Sequence, residues 1–152
     1  MAEQGPARFW LERLINKGAS KGSVAFVMLN PSTADDTTDD PTIRRCKGFA
    51  DSWGFRDLVV VNTNPMRSTN PRRTPEPTEF DLRENDEYLR CAAFYAELVV
   101  CAWGGHVRKD LEERVLDVYT ETPLHHLGLT KAGKPRHPLY LRGDLQPTLW
   151  GP

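Results

Sequence analysis

V-A-F-V-M-L, Val24 to Leu29, runs directly into N-P-S-T-A-D, Asn30 to Asp35, and the reading of this stretch decides the fold. Six consecutive apolar residues rich in strand formers are too few for a helix, and they are apolar at odd and even positions alike. A strand buried on both faces is expected, as in parallel sheets covered by helices. Leu58 to Val61 and Leu98 to Ala102 repeat the pattern, and Leu124 to Leu127 supplies a fourth short strand after Pro123.

Helical spacing fills the intervals. Asp40 followed by Pro41 is a strong helix start, because the carboxylate accepts free amides while proline fits the first turn. Ile43, Cys46, Phe49 and Trp53 then line one face up to Gly54. A second helix is expected near Glu84 to Ala96, and Val107, Leu111, Val115 and Tyr119 mark a third. Pro6, Phe9, Trp10 and Leu14 predict an N-terminal helix over 6–18, stopped by Gly18. Strand and helix alternate, which predicts an α/β fold of three layers, α/β/α, around a short, mostly parallel four-stranded sheet. At 152 residues the chain is expected to be one domain, 1–152, with its core over 20–145.

Composition narrows the function. Twenty basic against 21 acidic side chains give a net charge of −1, which argues against coating nucleic acid by bulk electrostatics. Local basic stretches remain, at Arg67, Arg72 and Arg73 and at Lys131, Lys134, Arg136 and Arg142. No apolar run approaches the roughly 18 residues of a membrane span, so no membrane partner is expected. Three cysteines, Cys46, Cys91 and Cys101, leave one unpaired in any disulfide scheme and lack metal-ligand spacing. With acidic residues near the N-terminus in place of a secretory signal, a reduced, cytoplasmic location is expected. Gly104-Gly105 lacks the spacing of a dinucleotide or Walker loop, so no cofactor is expected.

Ligands of open parallel sheets bind beyond the carboxyl ends of the strands. Those positions are polar here: Asn30 to Asp35, Asn62-Thr63-Asn64, Trp103-Gly104-Gly105-His106 and the loop from Gly128 to Pro138. The competing reading is that Asn, Gly and Pro simply make turns. Asp35, Asp36, Asp39 and Asp40 are dense enough to consider a divalent cation, but Asp40 is explained as a helix cap and the others as solvated or paired, so no metal site is assigned. Arg44 and Arg45, in the first turns after that cap, are candidates for a phosphate at the rim of the crevice.

The phrases L-N-P-S-T-A-D (Leu29 to Asp35), D-D-P-T-I-R-R-C (Asp39 to Cys46), W-G (Trp103-Gly104) and P-R-H-P-L-Y-L (Pro135 to Leu141) resemble the family called domain of unknown function 1643, over about residues 20–145. More distantly, the order of N-P-S, V-V-V-N, V-V-C-A-W-G and H-P is similar to the uracil-DNA glycosylase superfamily. That likeness implies a glycosylase-like fold and a hydrolase of DNA modification or repair. It puts Asn30 on the residue that positions the attacking water, Asn62 on the base-reading asparagine, and His137 on the histidine that steadies charge on the departing base. Asn30 and His137 are then the catalytic candidates; Ser32, Asn62, Trp103, Gly104, Arg44, Arg45 and Arg67 are the binding candidates. The stacking aromatic is left open among Trp53, Trp103 and Tyr140. The expected function is a nucleobase- or nucleotide-processing enzyme acting on a base in DNA or on a free nucleoside or nucleotide. The alternative is a non-catalytic module that binds a modified base or nucleotide, and a metal-dependent phosphoester hydrolase is more remote.

Overall fold

The structure is a computed structural model that describes residues 6–35 and 37–152. The decisive stretch lies in β2, Lys21–Met28, at the centre of the molecule. Val24, Ala25, Phe26 and Val27 are all fully buried, as a strand covered on both faces requires. β2 pairs in parallel with β3, Phe55–Asn62, on one side and with β4, Leu98–Cys101, on the other. β5, Leu124–His126, extends the parallel ladder beyond β4.

Alternate residues of β2 face opposite layers. Val24, Phe26 and Met28 belong to a core with Ile43, Cys46, Phe49 and Trp53 of the segment containing α1, Pro41–Ser52. There Phe26 stacks on Trp53, with ring centroids 5.9 Å apart. Ala25 and Val27 face Leu89 and Ala92 of α2, Glu79–Tyr95, and Val115 of α3, Lys109–Val118. The α1 start is as expected: Asp40 Oδ1 accepts from Ile43 N–H at 2.8 Å, with Pro41 at the first position. α2 begins before the expected Glu84, because Thr78 and Asp81 form a reciprocal capping box.

The expected short, mostly parallel four-stranded sheet of uracil-DNA-glycosylase type is overturned. The sheet has six strands in the order β1-β3-β2-β4-β5-β6 and is mixed, and the described residues form three α-helices. Both edge strands are antiparallel: β1, Leu11–Leu14, on β3, and β6, Thr148–Trp150, on β5. With the topology goes the glycosylase-like hydrolase and DNA-repair reading that depended on it.

The N-terminal helix expected over 6–18 is instead an extended segment carrying β1. Its apolar spacing has a different cause from the one a helix implies. Leu11 and Leu14 would share a helix face, but Leu11 is 2% exposed and Leu14 is 55% exposed. The outer edge of β3 is a row of buried valines whose amides and carbonyls need partners, and β1 supplies them. Ahead of β1, Phe9 stacks on Tyr88 at 5.2 Å and Trp10 meets Tyr88 and Tyr95, so the aromatics attach this segment to α2.

The placement of β1 gives an asymmetric expectation. Leu11→Ala should lower the free energy of unfolding by about 2–5 kcal/mol through loss of a buried side chain. Leu14→Ala should stay within about 0.5 kcal/mol. Urea unfolding of both variants checks this, and equal losses would contradict the strand.

Candidate functional site

Because β3, β2, β4 and β5 are parallel, their carboxyl ends share one edge of the sheet. A cavity of about 460 Å³ opens there. Asn30 and Ser32 after β2, Asn62 at the end of β3, Trp103 and Gly104 after β4, and His137 all line it. Met28, Leu29, Ile43, Val60 and Leu139 supply its apolar wall.

The two asparagines are in different states. Asn30 Nδ2 donates to the carbonyls of Pro31 and Ser68, both at 2.9 Å, and of Met66 at 3.4 Å. It ties the loop after β2 to the loop after β3, assisted by Ser68 N–H on Pro31 O at 2.8 Å and Thr63 Oγ1 on Leu29 O at 2.7 Å. Asn62 is 2% exposed, and its backbone carbonyl accepts from Asn85 Nδ2 at 2.8 Å. Its side-chain amide makes no hydrogen bond to any described residue and borders the cavity.

On the opposite wall, His137 Nδ1 accepts from Leu139 N–H at 3.2 Å, which puts the proton of the neutral ring on Nε2. Burial lowers the pKa of this imidazole, and the nearby Asp40 carboxylate offsets part of the shift. Asp40 also borders the cavity, with its oxygens accepting from Ile43 N–H and Ala34 N–H. Gly104 has φ +81°, donates to Pro135 O at 2.8 Å, and would put a Cβ 3.4 Å from His137 Cβ. Glycine lets the two loops close on each other.

Trp103 is 1% exposed, meets Trp150 edge to face at 5.6 Å, and donates from Nε1 to Glu112 Oε2 at 2.8 Å. It is a fixed part of the core that borders the cavity, with its ring faces packed away from solvent. Glu112 is itself buried and also accepts from Lys134 Nζ, so one carboxylate links the tryptophan to the loop that carries His137.

A family model described as a protein of unknown function, DUF1643, matches residues 8–139. The chain belongs to the DUF1643 family. No curated protein and no solved structure matches it. The DUF1643 segment contains the whole cavity lining, from Arg8 to Leu139.

Other candidates fall outside this DUF1643 cavity. Arg44 is exposed and donates to Asp39 O at 3.1 Å; Arg45 lies over the Phe49 ring at 5.1 Å and donates to Leu141 O; Arg67 does not line the cavity. Trp53 packs in the α1 core. The aspartates have separate tasks: Asp35 Oδ1 caps the turn at Thr37 and Thr38, Asp39 pairs with Arg13 and Lys47, and Asp40 caps α1. Asp36 lies outside the described residues. Among the described residues no group of three or more His, Cys, Asp or Glu side chains is placed to hold a metal. Cys46 and Cys101 are buried, and burial pushes both thiols up, away from the reactive thiolate. No described helix is long and apolar enough to cross a membrane.

Sequence reading missed Arg8, Asn85 and Glu112, and it singled out Arg136 only as part of a basic stretch. Arg8 and Arg136 line the cavity, while Asn85 and Glu112 act behind it on Asn62 and Trp103. The available signal was a polar residue at a core position of a helix: Asn85 shares the face of Leu89 and Ala92, and Glu112 adjoins Leu111 and Val115.

Depressed basicity at His137 has a sign that can be worked out. Below the ordinary pKa near 6.5 the unfolded chain takes up a proton that the folded ring resists, so stability is full above that value and falls as pH drops below it. His126, whose pKa is lowered by burial and by His125, adds in the same direction. His137→Gln should therefore flatten, without abolishing, the fall in Tm between about pH 7 and 5.5. An unchanged slope would contradict the buried neutral imidazole.

Proposed function

We propose that the cavity of this DUF1643 protein is a recognition site for a nucleobase, with Asn62 reading the edge of the base. The observation that carries this is the Asn62 amide, sealed to 2% exposure yet unengaged by any described residue. Leaving buried polar atoms without partners costs about 1–3 kcal/mol, so the cavity must satisfy them through its contents. A carboxamide offers one acceptor and one donor side by side, and its complement is the adjacent donor and acceptor of a pyrimidine or purine edge. The apolar wall of Met28, Leu29, Val60 and Leu139 suits the faces of such a ring. His137 Nε2–H, opposite, adds a neutral donor for a base carbonyl. A volume of about 460 Å³ is within the usual range for small-molecule sites.

The same geometry favours recognition as the function. Asn30, the residue first expected to position water, has its Nδ2 engaged by backbone carbonyls and serves as a clamp between loops. Binding of uridine, cytidine, adenosine and guanosine, followed by calorimetry, tests the proposal. At least one should bind, and Asn62→Ala should weaken it by about tenfold or more while Tm is held, since the amide bonds to nothing in the fold. Undiminished affinity in Asn62→Ala would refute the assignment.

A further inference from the structure

Arg136 lies at the end of a tightly built hairpin. Thr130 N–H donates to Lys134 O at 2.8 Å, Arg136 N–H donates to Gly128 O at 2.9 Å, and Leu129 bridges Pro135. The hairpin is fixed to the body twice, by Lys134 on buried Glu112 and by Gly104 N–H on Pro135 O. The stem of Arg136 crosses Gly128, whose φ is +121° and whose Cβ would stand 3.3 Å from Arg136 Cδ. Only glycine both adopts that backbone and leaves the arginine its path.

The guanidinium so directed is exposed at the cavity and has no carboxylate or hydrogen-bond partner among the described residues. Elsewhere arginines are committed: Arg108 to Glu76 and Asp110, Arg114 to Glu79 and Asp86, Arg142 to Asp144. Asp40 is the one acidic residue in the described lining, and its carboxylate is held by two backbone amides. Beside Arg136, Thr130 Oγ1 accepts from Lys134 N–H at 3.1 Å, which leaves its hydroxyl proton to donate into the cavity that it lines.

Asn62 ends β3, whereas the hairpin closes over the ends of β4 and β5, two to three strands away. At about 4.8 Å per strand this is roughly 10–14 Å, the reach of a nucleoside 5′-monophosphate from its base edge to its phosphate. We infer that Arg136, with Thr130, is a phosphate subsite, and that the ligand of the cavity is a free nucleotide with its base at Asn62. This rests on the base-recognition reading above and adds the class of ligand. Guanidinium forks grip phosphate oxygens in pairs, and a monoester presents more of them and more charge than an internal diester.

The experiment compares uridine, cytidine, adenosine and guanosine with their 5′-monophosphates, and with short single-stranded oligonucleotides, by calorimetry on the full chain. The monophosphate of the preferred base should bind about ten- to a hundredfold tighter than its nucleoside, with the gap narrowing as salt rises. Arg136→Gln should erase the gap and leave nucleoside affinity unchanged; Arg136→Lys should restore part of it. Equal affinity for nucleoside and monophosphate in the unmodified protein overturns the subsite but leaves the base pocket standing, as does an Arg136→Gln loss that affects both ligands alike. Tighter binding of the oligonucleotide than of any monophosphate overturns the free-nucleotide class. Failure of every base-containing probe overturns the base reading and this inference together.

Discussion

β2 has no side that meets solvent. Between Val24 and Val27 its two faces are covered by separate cores and its two edges are paired with β3 and β4. Its backbone groups can be satisfied only by those neighbours, and the parallel sense of both pairings sends three strand ends to one edge of the sheet. β5 adds a fourth. The polar turns that follow these strands are thereby gathered around one opening, although Asn30 and His137 are far apart in sequence.

Gathering loops is not enough to give them fixed geometry, and the hydrogen bonds behind the cavity do that work. Asn30 locks the turn after β2 to the turn after β3, Asn85 holds the carbonyl of Asn62, and Glu112 holds Trp103 and the Lys134 hairpin. These supports come from α2, α3 and adjoining loops, elements with no other share in the cavity. Their effect is to leave the Asn62 amide, the His137 Nε2–H and the Arg136 guanidinium oriented with their outward bonds unmade. Such prepared groups lose less freedom on binding than mobile ones.

The central strands and α1 were legible because their signals are local. A short run apolar on both faces has few alternatives, and Asp40-Pro41 combines a cap with a helix-compatible ring. The edges were not legible, because β1 and β6 exist through pairing and not through pattern. Leu11 and Leu14 match helical spacing as well as strand spacing, and only the open edge of β3 decides between them. Thr148–Trp150 is a three-residue strand whose partners lie more than twenty residues earlier. At the site, Asn30, Asn62 and His137 could be placed together from strand order alone. Whether an asparagine clamps a loop or faces a ligand depends on carbonyls contributed by distant segments, such as Ser68 for Asn30, and strand order does not determine that.

The central claim is that Asn62 meets the ligand while Asn30 holds the scaffold. Side-chain amide signals of both residues, followed by NMR during titration with nucleoside 5′-monophosphates, distinguish the two roles in one experiment. The account predicts that the Asn62 amide protons shift and become protected from exchange at the concentration where ligand binds, while those of Asn30, already bonded to Pro31 and Ser68, stay where they are. Saturable binding that leaves the Asn62 signals unmoved would contradict it.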